Sequence, residues 1–285
     1  MNTLTKPFIL CATAGALVAC DGNDDQTSSA NEIQTLSIAT TNLEPLGSDY
    51  NYEGWLIING QAISAGIFDI ENGAPSPSSF EIEAEDANAA THYVLTIEPA
   101  VDDDPNPSST HIVAGRIVNG VADATTNDSA ALSTDFADAQ GTYINATPTN
   151  GNATPEQGVW FLDPTTSPAS ASLDLPTLPE GWAYAGWVVI DGAPVSTGYF
   201  TDPAMADSDG AGATAGPQAA PNFPGQDFID PAINISTATV VISVEPMPDN
   251  SPAPFSIKPL LSENGMTTLS NIVDTNLPSA VIVIQ

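Results

Sequence analysis

Tyr52-Glu53-Gly54-Trp55-Leu56-Ile57-Ile58-Asn59-Gly60 returns 132 residues later as Tyr184-Ala185-Gly186-Trp187-Val188-Val189-Ile190-Asp191-Gly192. Ser64-Ala65-Gly66-Ile67-Phe68 returns at the same spacing as Ser196-Thr197-Gly198-Tyr199-Phe200. A third block, Thr96-Ile97-Glu98-Pro99, matches Ser243-Val244-Glu245-Pro246 at a spacing of 147. That match continues through Asp102/Asp249, Pro105/Pro252 and Pro107/Pro254 to His111/Lys258. So many positions matched in one order mark a duplication. The change of spacing puts about 15 extra residues into the second copy, within the Gly-, Ala- and Pro-rich stretch from Asp202 to Gly225, whose composition is that of a loop.

Both copies carry β chemistry. Tyr93, Leu95 and Ile97 alternate with Val94, Thr96 and Glu98, and Val240, Ile242 and Val244 alternate with Val241, Ser243 and Glu245. Period two in the same phase predicts the same buried face in each copy. Asn59-Gly60 and Asp191-Gly192 sit between apolar runs, as two-residue hairpin turns with positive φ require. Trp55 to Ile58 and Trp187 to Ile190 are apolar on both faces, as a strand inside a sandwich should be. Ala280 to Ile284 reads as the strand closing the second copy, and Gly141 to Ile144 as the one closing the first. Gly158 to Leu162 reads as a strand of the connection, and no segment has helical periodicity. The expected fold is all-β: two tandem homologous β-sandwich-like units, residues 43–147 and 173–285, joined by a connector at 148–172.

Residues 1–20 read as an export signal, with Lys6 ahead of an apolar run from Phe8 to Ala19 that is too short to span a bilayer. Leu17-Val18-Ala19-Cys20 resembles a bacterial lipobox, which implies acylation of Cys20 and anchoring on a membrane. Cys11 leaves with the signal, so Cys20 has no partner for an intrachain disulfide. Residues 21–42, rich in Ser, Thr, Asn and Asp, read as a flexible acidic tether. Asp21 after the cysteine resembles an inner-membrane retention signal, whereas Asp21, Asp24 and Asp25 together resemble a surface-export signal. Periplasm and cell surface are therefore both open as the extracytoplasmic location.

The order Tyr-x-Gly-Trp, then small-Gly-Phe, then Val- or Ile-Glu-Pro resembles the extracytoplasmic domain of the anti-sigma-K factor RskA family. The resemblance spans residues 43–117 and again 173–261. It implies a β fold and a signalling ancestry. Members of that family place a sigma-binding segment and a transmembrane helix before this domain. Here there is no His-x3-Cys-x2-Cys zinc motif and no apolar run of eighteen or more residues. The resemblance therefore implies the outer domain without direct sigma-factor contact.

Charge excludes several partners. The chain has 35 acidic residues against 3 Lys plus Arg, a formal charge of -32. Beyond the signal only Arg116 and Lys258 remain as strong cations, too few to neutralise nucleic-acid phosphates or grip an anionic bilayer. Glu98 and Glu245, each followed by Pro99 or Pro246 and aligned with Trp55 or Trp187, form the repeated motif. Its carboxylates are read as acceptors for backbone N–H groups of the Pro-rich turn that follows. Strand pairing would also bring Glu98 to His111 and Glu245 to Lys258 as structural ion pairs. Asp102-Asp103-Asp104 and Asp207-Ser208-Asp209-Gly210 are candidate calcium loops, since a hard cation wants several loop oxygens and a turn glycine. Neither has the twelve-residue EF-hand pattern, so a solvated acidic loop is the competing reading. Trp182, at a loop edge after Pro179-Glu180-Gly181, is the candidate for an exposed stacking platform.

Nothing in the sequence builds a catalytic centre. There are two histidines, His92 and His111, no Gly-x-Ser-x-Gly elbow, and no pair of carboxylates singled out from the rest. The expectation is a non-catalytic, lipid-anchored envelope protein with no cofactor that binds an unidentified envelope protein. The alternative is a structural or adhesive surface lipoprotein taking calcium or glycan through its acidic loops.

Overall fold

Residues 32–263, 265–273 and 276–285 are described by the structure, a computed structural model. The signal, Cys20 and the start of the tether lie outside the described residues. The first copy supplies β1 (Ile33–Thr41), β2 (Tyr50–Ile58), β3 (Gln61–Glu71), β4 (Ala74–Ser76), β5 (Ser79–Glu83), a helix α1 (Ala84–Ala89), β6 (His92–Pro99), β7 (His111–Arg116), β8 (Val121–Thr125) and β9 (Gln140–Thr142). The connector supplies β10 (Gly158–Trp160), β11 (Leu162–Asp163) and β12 (Ser170–Ala171). The second copy supplies β13 (Leu173–Asp174), β14 (Trp182–Ile190), β15 (Ala193–Phe200), β16 (Gly225–Asp227), β17 (Thr239–Pro246), β18 (Leu260–Ser262), β19 (Thr268–Asn271) and β20 (Ser279–Ile284). The fold is all-β, as the alternation predicts. At six residues, α1 is too short for helical periodicity to show in the sequence.

Hairpin chemistry acts at both predicted turns. Asn59 and Gly60 have φ of 51° and 80°, and Asp191 and Gly192 have 51° and 83°. These values turn β2 into β3 and β14 into β15. Two large antiparallel sheets result, ordered β4-β3-β2-β6-β7-β8-β20-β1-β5 and β15-β14-β17-β18-β19-β9-β13. Stripped of β4 and β5, the first order matches the second strand for strand. The first sheet curls until Phe80 of β5 covers Gly66 of β3, where a Cβ would sit 2.1 Å from the ring.

The match shows what linear reading misses. β20, the last strand of the second copy, lies in the first sheet between β8 and β1, with Ala122 opposite Ile282 and Ile38 opposite Ile282 on the other side. β9, the last strand of the first copy, lies in the second sheet between β19 and β13, with Leu269 and Leu173 opposite Gly141. The two copies exchange their final strands. The expectation that Gly141 to Ile144 closes the first unit and Ala280 to Ile284 the second is corrected, and so are the unit boundaries at 147 and 173. The tether also ends earlier than expected. Residues 33–41 form β1, because Leu36 and Ile38 alternate inward and the strand has β20 and β5 to pair with.

Exchange merges the interiors. One buried cluster runs from Leu36, Tyr52, Tyr93 and Ile282 of the first sheet through Phe161 to Tyr184, Ile242 and Leu260 of the second. The opposite face of the central strands is buried as well, as their two apolar faces predict. Trp55 packs there with Val94 and Ala114, and Trp187 with Ala185 and Val241. Between the sheets, β10 pairs with β16 around the fully buried Asp227. Its carboxylate accepts Trp160 Nε1–H at 2.7 Å, Thr149 N–H at 3.0 Å and the Thr149 hydroxyl. A buried carboxylate needs such partners, and here they tie the second copy's insertion to the connector.

Ile282→Ala therefore tests the exchange. Ile282 is fully buried, and its truncation should cost about 2–5 kcal/mol of stability. Hydrogen exchange should quicken in β1 and β8, more than 150 residues away in sequence, before it quickens in β18 and β19. Faster exchange confined to the second sheet would refute the exchanged topology.

Candidate functional site

The repeated Glu-Pro motif builds two equivalent buried networks. In the first unit Trp55 Nε1–H donates to Thr96 Oγ1 at 2.8 Å, the Thr96 hydroxyl donates to Glu98, and Ser108 N–H donates to the same carboxylate at 2.9 and 3.2 Å. In the second, Trp187 Nε1–H donates to Ser243 Oγ at 2.7 Å and the Ser243 hydroxyl donates to Glu245. Phe255 N–H then donates to both Glu245 oxygens at 3.1 Å. Ser108 and Phe255 are equivalent at the spacing of 147. Each glutamate thus pins the Pro-rich loop that follows its strand. Both carboxylates are buried, Glu245 completely. Burial lifts the Glu245 carboxyl to about 7 against the pull of the Ser243 and Phe255 bonds.

No hydrogen bond joins either proposed ion pair, although the charges of Lys258 and Glu245 do act on each other. Register places His111 opposite Thr96, and its Nδ1 lies 2.9 Å from the Ala130 carbonyl. The Lys258 ammonium donates to the Phe255 carbonyl at 2.7 Å. Each glutamate is instead occupied by a hydroxyl and a backbone amide.

The pinned loops meet at the junction of the two copies. Ala100 N–H donates to Asp49 O and Met247 N–H to Gly181 O, both at 2.8 Å and at equivalent positions of the repeats. Asn250 Nδ2 donates to Asp49 Oδ2 at 3.0 Å and the Tyr50 hydroxyl reaches Pro248 O at 3.4 Å. Gly181, at φ 87°, lies so close to Ser109 that a Cβ would fall 2.6 Å from its hydroxyl. These contacts enclose a cleft of about 410 Å³, walled by the segment from Glu44 to Tyr50, by Ile97, Pro99 and Ser108, and by the loop from Pro246 to Phe255. Pro99 and Pro246, the matched prolines of the motif, both line it. Glu44 stands half-buried in the wall, its carboxyl raised chiefly by burial and pulled back by Lys258 and Ser256.

The acidic loops differ from one another. Asp102, Asp103 and Asp104 are exposed. Asp102 caps Asp104 N–H at 2.8 Å, and Asp104 caps Asn106, whose bonds lower its carboxyl. Asp207 and Asp209 lie over Gly198 of β15, where a Cβ would sit 2.4 Å from Asp209 Oδ1 and 2.7 Å from Asp207 Cγ. They occupy the place that Phe80 fills over Gly66 in the first copy. Gly225 N–H donates to Asp207 Oδ2 at 2.8 Å, while Asp207 Oδ1 is buried without a hydrogen-bond partner. Burial first, then the neighbouring carboxylate, drives Asp207 up to about 7, and burial raises Asp209 too. Among the described residues no three His, Cys, Asp or Glu side chains gather as a metal site. Trp182, expected at the surface, is 3 % exposed and packs on Phe255 with ring centroids 6.2 Å apart.

Sequence reasoning found the glutamates but missed Glu44, Tyr50 and Asp227. Their roles come from contacts 67 to more than 190 residues away in sequence. Thr96 and Ser243 were visible as a matched hydroxyl pair within the motif.

No family model and no curated protein matches the chain. Two solved structures align with most of it: the tandem C2 domains of extended synaptotagmin 2 with calcium bound, and the same domain pair without that label. The first is 8% identical with a TM-score of 0.19, covering 90% of this chain and 97% of the other. The second has the same identity and score, covering 99% of each. A score that low carries no argument about shared fold or ligand.

Two expectations follow. Thr96→Val, which keeps the volume but breaks the Trp55–Thr96–Glu98 relay, should lower stability by about 1–3 kcal/mol in a denaturant titration. An unchanged midpoint would show that the relay is not what pins the loop. Glu245 with a raised carboxyl keeps its proton in the folded state where the unfolded chain has lost it. Its contribution is fully present below the ordinary carboxylate range near ~4.3 and disappears as pH rises through about 7. Glu245→Gln should therefore raise the melting temperature at pH 8 and change it little at pH 5. A loss at both pH values would refute the assignment.

Proposed function

We propose that this chain is a non-catalytic, lipid-anchored protein of the bacterial cell envelope whose two exchanged units form one protein-binding module. The observation that carries this reading is the cleft at the junction of the copies. It is made by loops that both repeats hold in place with buried glutamates, so it is preformed, and preformed surfaces bind with less ordering cost. Its size falls within the range of about 300–1,000 Å³ usual for ligand sites. The functional groups in its lining are carboxylates, hydroxyls, the Asn250 amide and prolines. The envelope location rests on the lipobox at Cys20, and a place in envelope signalling rests on the likeness of the repeats to the RskA outer domain.

A photo-cross-linking residue placed at Pro252, in the cleft wall, should capture one envelope protein in cells. The same residue at Ile67, 52 % exposed on β3 and outside the cleft, should not. Cys20→Ser should abolish the capture if anchoring brings the partners together. No adduct at Pro252, or equal adducts at both positions, would overturn the reading. EDTA should leave the melting temperature unchanged; a drop would favour the calcium-binding alternative.

A further inference from the structure

We propose that the cleft receives an extended segment of a protein partner in which lysine or arginine stands beside apolar residues. The inference deepens the protein-binding role above and rests on it. Three carboxylates, Glu44, Asp49 and Asp249, line the cleft, and no Lys, Arg or His is among its described lining residues. Lys258, the cation whose field reaches Glu44, has its ammonium on the Phe255 carbonyl. Glu44 is left half-buried with its carboxyl raised, the state a desolvated acid adopts when its counter-charge is insufficient. An entering ammonium or guanidinium would supply that charge at the place where water is already partly excluded.

The walls specify the rest of the ligand. Pro99, Pro246, Pro248 and Pro252 have no backbone N–H, so these stretches of the wall offer carbonyl acceptors beside the carboxylates of Glu44, Asp49 and Asp249. A cationic side chain brings donors and positive charge, and an acidic ligand would set carboxylate against carboxylate. Leu46, Ile97 and the prolines offer apolar surface alongside, which a bare polyamine could not cover. The chain's charge of -32 draws such a segment in and repels acidic competitors.

The test uses full-length acylated protein in detergent and two fluorescent peptides, Leu-Lys-Pro-Ile-Arg-Val and its acidic counterpart Leu-Glu-Pro-Ile-Glu-Val, read by anisotropy. The basic peptide should bind and the acidic one should not. Glu44→Gln with Asp249→Asn should weaken binding about tenfold or more, with a melting curve matching wild type. Glu81→Gln with Asp123→Asn, which removes the same charge outside the cleft, should change it less than twofold. Equal losses from both double variants, equal displacement by spermidine alone, or no binding of the basic peptide would overturn the proposal. If the peptide fails while Pro252 still captures a protein in cells, the ligand chemistry falls and the binding role stands. If both fail, the role falls with it.

Discussion

A strand in the middle of a sheet needs partners for its backbone amides and carbonyls on both sides, and a buried edge left open is costly. In this protein each sheet is one strand short of satisfying that constraint from its own copy of the repeat. The first borrows β20 and the second borrows β9. From that single fact follow the merged interior, the fixed relation of the two units, and the junction at which their loops meet. A pair of independent sandwiches on a linker would have no common cleft, because nothing would hold the two sets of loops against each other.

The repeated motif then does the local work. Tryptophan, hydroxyl and glutamate sit in one chain of bonds ending on a backbone amide ten residues beyond the acid. The glutamate replaces a backbone partner for a loop too rich in proline to pair with itself. Where the copies diverge, the same backbone has been put to different use. Gly66 and Gly198 both leave room above their strand, yet one admits the ring of Phe80 and the other a pair of aspartates. The extra loop of the second copy thus puts carboxylates where the first copy has an aromatic contact. Asp227 compensates by tying that loop back to the connector.

Much of the fold was legible in the sequence, because duplication prints the same strand twice and makes chance agreement implausible. The type of element, both hairpin turns and the structural character of Glu98 and Glu245 could be read from alternation, Asn-Gly or Asp-Gly pairs and a following proline-rich turn. What could not be read was which sheet a strand joins. Gly141 to Ile144 and Ala280 to Ile284 look like closing strands, and they are, but alternation carries no address, and each closes the other copy's sheet. For the same reason the partner of His111 was misjudged: Thr96 stands opposite it, and Glu98 takes its bonds from Thr96 and Ser108. Trp182 looked exposed from its turn-forming neighbours, yet Phe255, 73 positions on, covers it. The walls of the cleft were illegible too, since Glu44 and Pro248 become neighbours only through the exchange.

Strand exchange also sets a clock. Ribosomes deliver the first copy complete except for β20, which follows β8 by more than 150 residues. Until β20 emerges, β8 and β1 have no strand between them, and the leading half cannot lock into its final form. The first sheet therefore stays open at its middle until β20 has been made. For any polypeptide that must be threaded through a narrow channel before it folds, such a delay keeps the first sheet threadable until β20 has followed.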